Sequence, residues 1–577
     1  MIRKPKNQEK MQPWGIPILM GLRKSIFLWS GILLFGMLQG CGIKKSLNNR
    51  PDVSKYTNEI PEKIVVNDST FTQGNNFLTK NKYGLWELYV EGNPFERGLA
   101  NGNLTQALYY KQEKVFLDKV NSLVPGEGQQ NFLTAFLKWY NRNMYRHISE
   151  EYKAEIYGIS RYASTDFNDL APPYLRSLYL HGAHDIGHAL QDLMLVGCTS
   201  FAVWDEKSED GNLLIGRNFD FYAGDAFAEE KIIAFMNPEE GHKFMSVTWG
   251  GFIGVVSGMN NQGLTVTINA GKSKIPLAAK TPISIVTREI LQYASTIDEA
   301  IAIAKKREVF VSEAIMVGSA SDGKAVVIEV SPNNFGVYEV ENSSALICAN
   351  HFQSDAYKKD RRNLKTIEES HTTYRFNRMT ELLDSEEKVT PSEAVSILRN
   401  REGVNNKDIG YGNEKALNQL LAHHGIVFQP AQLKVWVSAN PYQLGAFVCY
   451  DLNEIFKNRK DNPSLVSLSV EHKTIPASPF LNTEAYKNYE KYRKLEGDLE
   501  ATIETEKLQT SLNAEKLIAL NPAYWKAYYL VGRYYFEIGN YEKAAENLTE
   551  ALKKEIPSQD EVELVEKYLR KTKRKLK

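Results

Sequence analysis

The chain has 577 residues, 43% of them hydrophobic, and its 70 lysines and arginines are matched by 70 aspartates and glutamates. This allows a large core, with two to four domains or one large domain with appendages. Zero net charge removes the electrostatic reason to expect a nucleic-acid partner. The four cysteines (Cys41, Cys198, Cys348 and Cys449) are too few for a disulfide scaffold and show no zinc-ligand spacing.

Near the start, Arg23-Lys24 precede the apolar run SIFLWSGILLFGMLQ, which ends at Gly40-Cys41. A charged region, a short apolar region and a small residue before a cut read as a signal peptide over residues 1–40. The Gly-Cys step resembles a bacterial lipoprotein lipobox. That resemblance implies cleavage before Cys41 and lipidation of its sulfur. The body would then be lipid-anchored at the cell envelope, on the periplasmic side or the cell surface. The alternative is an uncleaved anchor helix, although the run is short for a full span. Residues 41–72 are polar and read as a flexible tether.

Residues 73–197 are expected to be mostly helical. They open with a strand-like alternation and a Gly-Asn-Pro turn, then show helical periodicity through Leu104, Leu108, Phe116 and Val120. At Cys198 the pattern changes. SFAVWD, the turn SEDG and NLLIGRNFDF predict a hairpin of 199–205 with 212–220. Short strands follow in KIIAFM, KFMSVTW, GFIGVVSG and GLTVTINA. Two helices come next, the second opening on a capping box at Thr296-Ile297-Asp298-Glu299. Strands resume in EAIMVGSAS, KAVVIEVS, FGVYEV and ALICAN; residues 373–423 read as helices; LKVWVSAN and GAFVCYDL close the set. Hairpins with helices gathered in blocks predict an α+β core over residues 198–455.

Residues 456–510 read as a connector. Residues 511–577 carry one copy of a pattern similar to the tetratricopeptide repeat, with Trp525, Leu530, Gly532, Tyr535, Gly539, Tyr541, Ala544, Ala545 and Ala551. One repeat cannot bury its own face, so it should dock on the main domain or on a protein partner. A helical hairpin that caps the domain is the plainer alternative.

Taken alone, Cys198 reads as core packing. The hairpin, however, lays Arg217 and Asp220 beside it. An arginine favours the thiolate, and a carboxylate can orient an attacking group. Asn269 and Asn350 end their strands, where an amide either caps a turn or donates to an oxyanion. Arg375 follows on a helix. His184 and His188 share a helix face at zincin-like spacing. Asp185 stands where glutamate is needed and Gly187 weakens the helix, so no metal site is expected. A conventional Cys–His pair using His351 is a further alternative without a supporting signature.

Taken in order, the motifs Gly197-Cys198-Thr199-Ser200, Gly216-Arg217-Asn218-x-Asp220, Gly258-Met259-Asn260-x-x-Gly263-Leu264 with Asn269, Asn350-His351-Phe352 and Arg375-Phe376 resemble the N-terminal-nucleophile (Ntn) hydrolases. They are similar to the branch of acyl-coenzyme A:6-aminopenicillanic acid acyltransferases and choloylglycine hydrolases. GNPFERGLANGNL, residues 92–104, is similar to the opening motif of the acyltransferases. The resemblance implies a four-layer αββα sandwich of two antiparallel sheets between helices. It implies self-cleavage between Gly197 and Cys198, giving an α chain (41–197) and a β chain from Cys198. Cys198 would be the nucleophile and its freed α-amine the base. Arg217 and Asp220 would orient that pair, Asn269 with a backbone N–H would hold the oxyanion, and Asn350 and Arg375 would complete the network at the amine and leaving group. The reaction implied is hydrolysis of a non-peptide N-acyl amide through a thioester, without cofactor or metal. Acyl transfer to an amine, or an inactive binding lipoprotein, are the alternatives.

Overall fold

Alternating apolar residues build two large sheets in the computed structural model, which describes residues 40–577 except 57–58, 125, 183–184, 186–194, 223, 274–277, 422, 458–466 and 505–512. The described chain divides into a larger unit, mainly residues 40–487, and a smaller one, mainly residues 488–577.

In the larger unit an 11-stranded sheet runs from Ile64–Asn67 through Thr70–Gln73, Asn76–Lys80, Trp86–Gly92, Ile232–Pro238, Phe244–Thr248, Ser257–Asn260, Leu264–Ala270, Glu313–Ser319 and Lys324–Ser331 to Asn334–Tyr338. Neighbours are antiparallel except Trp86–Gly92 with Ile232–Pro238, which run parallel. A six-stranded sheet has the order Ala345–Cys348, Thr199–Val203, Leu214–Phe219, His424–Gln429, Lys434–Ser438, Phe447–Asp451, all antiparallel.

The two-residue period of a strand sends alternate side chains to opposite faces. Phe235, Met245, Met316 and Val327 of the large sheet pack against Ala202, Ile215, Ile426, Val437 and Val448 of the small one. The opposite face of the large sheet, with Ala234, Val266, Val317 and Ile328, is covered by Val286 and Ile290 of helix Ile283–Tyr293 and Ala300 and Ala304 of helix Ile297–Lys306. The outer face of the small sheet, with Phe201, Val203, Val427 and Phe447, is covered by Met379 of helix Thr372–Ser385 and Val395 of helix Pro391–Leu398. Helix, sheet, sheet, helix is the four-layer α+β arrangement expected.

Several stretches differ from the sequence reading: of residues 373–423, read as helices, those described after Leu398 hold no helix beyond the short turn Val404–Asn406. Residues read as a tether carry helix Gly40–Asn48 and the strands Ile64–Asn67 and Thr70–Gln73. In the segment expected to be mostly helical, the strand-like opening forms Trp86–Gly92 as read, and Asn76–Lys80 adds a strand that the sequence reading lacked. TFTQ and NFLTK are rich in Thr, Asn, Gln and Lys, which hides the apolar alternation, and the parallel pairing of Trp86–Gly92 with Ile232–Pro238 is a long-range contact. Helix Pro94–Leu104 then lies on helix Glu150–Ser160 with their backbones in contact. A Cβ on Gly98 would sit 2.1 Å from the Glu155 carbonyl oxygen, and one on Gly158 would sit 2.7 Å from the Leu99 nitrogen. Within this junction the buried Arg97 and Arg288 both donate to Glu155 Oε2, at 2.6 and 3.3 Å.

In the smaller unit, helices Trp525–Glu537 and Tyr541–Ala551 form a hairpin. Gly532 lets them approach, since a Cβ there would meet Leu548 Cγ at 2.7 Å. Gly539 makes the turn at a φ of 82°, and the Asn540 side chain caps the second helix. Among the described residues no helix is long and apolar enough to cross a membrane.

Candidate active site

The predicted hairpin forms, with strands Thr199–Val203 and Leu214–Phe219, and its register extends beyond them. Thr199 opposes Asn218, and the same register pairs Val196 with Phe221 and Leu195 with Tyr222. Between these, the Gly197 N–H donates to the Asp220 carbonyl at 3.1 Å. The Gly197–Cys198 peptide bond therefore lies inside a continuous antiparallel pair, with Asp220 across from it. Cys198, Ser200 and Arg217 share one face because Ser200 opposes Arg217.

Cys198 is buried and not in a disulfide. Arg217 Nη2 lies 3.7 Å from its sulfur, and the Asp220 main-chain N–H also donates to it. Burial pushes the thiol above its ordinary range, and Arg217 does not overcome that. Arg217 pulls toward the thiolate as expected, but in the unbroken chain desolvation outweighs that pull. Arg217 is fully buried and donates mainly to main-chain carbonyls, Val256 at 3.2 Å and Ile268, and to Ser257 Oγ.

Asp220 is also buried. Its Oδ1 accepts a long 3.3 Å bond from Gln443 Nε2, and its Oδ2 has no hydrogen-bond partner among the described residues. Burial lifts this carboxyl to about 7, against the pull of Arg375, Gln443 and Arg217.

Arg375, from helix Thr372–Ser385, joins the cysteine to the next strand end. Its Nη1 donates to the Cys198 carbonyl at 2.7 Å and its Nη2 to Asn350 Oδ1 at 2.6 Å. Burial brings it down to about 10, so it remains charged at neutral pH. Asn350 spends one amide proton on the Ala270 carbonyl at 2.9 Å, leaving the other available. Asn269, expected at the oxyanion with a backbone N–H, bridges the two sheets through its side chain. Its Nδ2 donates to the carbonyls of Cys348 (2.9 Å) and Ala349 (3.3 Å), and its Oδ1 accepts from Ser200. These bonds tie the two sheets together.

His351 bonds Thr372 through Nδ1 at 3.0 Å, and burial with Arg375 brings it down to about 4. His184 and His188 lie outside the described residues. Among the described residues no cluster of three or more His, Cys, Asp or Glu could hold a metal ion.

Several groups at the site gave no local signal in the sequence. Gln419 Nε2 donates to the Gly197 carbonyl at 3.1 Å. Arg217 donates to Ser257 Oγ, which lies 3.0 Å from His424 Nε2, and His424 Nδ1 lies 2.9 Å from His423 Nδ1. His424 opens strand His424–Gln429, which pairs with Leu214–Phe219, Ser257 opens strand Ser257–Asn260 of the large sheet, and Gln419 precedes His424 in a loop. Sequence periodicity does not report such pairing.

Residues 204–441 match the family AAT, acyl-coenzyme A:6-aminopenicillanic acid acyl-transferase. The match begins just after Cys198 and includes Arg217, Asp220, Asn269, Asn350 and Arg375. An uncharacterized protein of Archaeoglobus fulgidus is 27% identical over 281 residues, 44% of this chain and 45% of that protein. The similarity thus spans about half the length of that relative. Among solved structures, the Caenorhabditis elegans ortholog of N-acylethanolamine-hydrolyzing acid amidase gives a TM-score of 0.31 at 18% identity, over 41% of this chain and 93% of that one. A mutant of conjugated bile acid hydrolase from Clostridium perfringens gives 0.30 at 14% identity, over 44% and 93%.

Proposed function

We propose that the protein is a self-processed cysteine amidohydrolase of the Ntn type, acting on a non-peptide N-acyl amide. The observation that carries this reading is the convergence of Arg217, Asp220 and Arg375, all buried, on the peptide unit at Cys198. Buried charges are costly unless partnered, and here they surround one sulfur and one main-chain bond.

In the first reaction the Cys198 sulfur adds to the Gly197 carbonyl carbon. The C–N bond breaks, the nitrogen keeps its electrons and takes a proton, and a thioester joins Gly197 to the sulfur. Water hydrolyses it to the Gly197 carboxylate and a free thiol. The new α-amine has an ordinary pKa of about 7.7–8.0 and serves as the base. It supplies the charge partner that Asp220 Oδ2 lacks in the unbroken chain. It also relieves the problem of a buried, high-pKa thiol, since the proton moves to a group on the same residue.

In turnover the amine takes the thiol proton, the thiolate attacks the substrate carbonyl, and Asn350 Nδ2 would donate its second proton to the developing oxyanion. The leaving amine takes the proton back, and water releases the acid from the thioester. Acyl transfer differs only in that an amine resolves the thioester. Lipidation at Cys41, whose side chain lies outside the described residues, would place this chemistry at a bacterial envelope. Acyl-coenzyme A is cytoplasmic, so that location favours hydrolysis. The tail 511–577 offers a helical face to a protein partner.

The test is a panel of N-acyl amides assayed for free acid with the wild type and Cys198→Ala. Release by the wild type and none by the variant supports the reading. Equal release by both, or none from any amide by a cleaved wild type, removes it. For the anchor, a diacylglyceryl mass increment on the N-terminal chain is expected, and an unmodified Cys41 would end that part.

A further inference from the structure

The Gly197 carbonyl is the electrophile of the proposed scission, and a side chain already holds it. Gln419 is buried, and its Nε2 donates to that oxygen at 3.1 Å. The surrounding loop is pinned on both sides: Asn218 Nδ2 donates to the Leu417 carbonyl at 2.9 Å, the Asn418 N–H to the Asn400 carbonyl at 2.8 Å, and the Leu420 N–H to Asn418 Oδ1 at 3.0 Å. Leu420 itself sits at a φ of 53°, a left-handed conformation that a γ-branched residue adopts only when its surroundings impose it. A second observation concerns Gly197. A Cβ there would lie 2.1 Å from Gln419 Nε2. Any larger residue would push the amide off the carbonyl, so the glycine before the cysteine and the glutamine 222 positions later fit one another.

We propose that Gln419 is the oxyanion donor of self-processing, resting on the scission read above. When the Cys198 sulfur adds to the Gly197 carbonyl carbon, the carbonyl electrons move onto the oxygen that Gln419 Nε2 already faces. When the C–N bond breaks they return, and the amine nitrogen leaves with its proton. The donor is held in place before the reaction, so little reorganisation accompanies the charge. This assigns processing and substrate turnover different amide donors, Gln419 for the first and Asn350 for the second.

The test is the time course by which the full-length chain converts to two fragments, read on denaturing gels for the wild type, Gln419→Leu and Gln419→Glu. Loss of one oxyanion donor slows a reaction on the order of 100-fold or more, and Gln419→Leu should show this. Gln419→Glu keeps the shape, but its ionised form cannot donate and repels the oxyanion, whereas its protonated form donates. Its deficit relative to the wild type at the same pH should therefore shrink as pH falls. A merely structural role would not produce that trend. Conversion of Gln419→Leu at the wild-type rate overturns the assignment while leaving the scission standing. Should Gln419→Leu fail to fold, a pH-independent deficit in Gln419→Glu overturns it. A wild type that never divides removes the scission and this inference together.

Discussion

Two buried charge clusters in the larger unit use the same residue types to opposite ends. At the helix junction, Glu155 sits between Arg97 and Arg288. Burial penalises its charge, but Arg288 and Arg97 outweigh the penalty and hold the carboxyl below its usual range. At the site, Asp220 lies near Arg375 and Arg217, yet burial wins and the carboxyl rises to about 7. The difference lies in where the guanidinium protons go. Arg97 and Arg288 each point Nη2 at the carboxylate. Arg217 and Arg375 point theirs at main-chain carbonyls, Asn350, Ser257 and Thr199. The first cluster is a settled ion network that joins residues before Cys198 to residues after it. In the second, Asp220 Oδ2 has no hydrogen-bond partner among the described residues, and the proposed scission would supply one.

The largest break in this comparison comes from Cys198→Ala. It should leave the chain undivided and lower amide turnover by on the order of 10⁴-fold or more, read by gel and by acid release. Asn350→Ala should lower kcat of the divided enzyme by about 10² to 10³, or about 3–4 kcal/mol of barrier. Asn269→Ala should instead show chiefly as a lower melting temperature, because it strands the Cys348 and Ala349 carbonyls. Glu155→Gln leaves two buried guanidinium groups without their shared carboxylate, and urea unfolding should report a loss of about 3–5 kcal/mol.

Asp220→Asn sharpens the contrast through pH. A carboxyl whose folded pKa is raised makes the folded state bind more protons than the unfolded one between about 4 and 7. Stability therefore falls as pH rises through that window, by on the order of 4 kcal/mol for a carboxyl raised to about 7. In undivided Cys198→Ala protein this slope should be present, and adding Asp220→Asn should remove it. In the divided wild type the new amine should shrink it. An identical slope in all three would mean that Asp220 is not the group responsible.

Much of this site was legible in the letters. The hairpin could be read because SFAVWD and NLLIGRNFDF alternate cleanly around a turn, and its register alone sets Arg217 and Asp220 beside Cys198. Asn269 and Asn350 were visible as strand-terminal amides, but which amide keeps a free proton depends on carbonyls that only the assembled sheets bring near. Gln419, Gln443, Ser257 and His424 were not legible, since each reaches the site through pairing or loops far along the chain. The early strands were masked by polar composition: TFTQ and NFLTK carry too little apolar contrast to betray a strand, and IVVN is exposed along its whole length.

The most direct test of the account is the intact mass and N-terminal sequence of the purified, active protein. The account expects two polypeptides that stay together, the second beginning Cys-Thr-Ser at position 198, and a single chain in Cys198→Ala. An active wild-type preparation in which every molecule is continuous through Gly197 and Cys198 would contradict it.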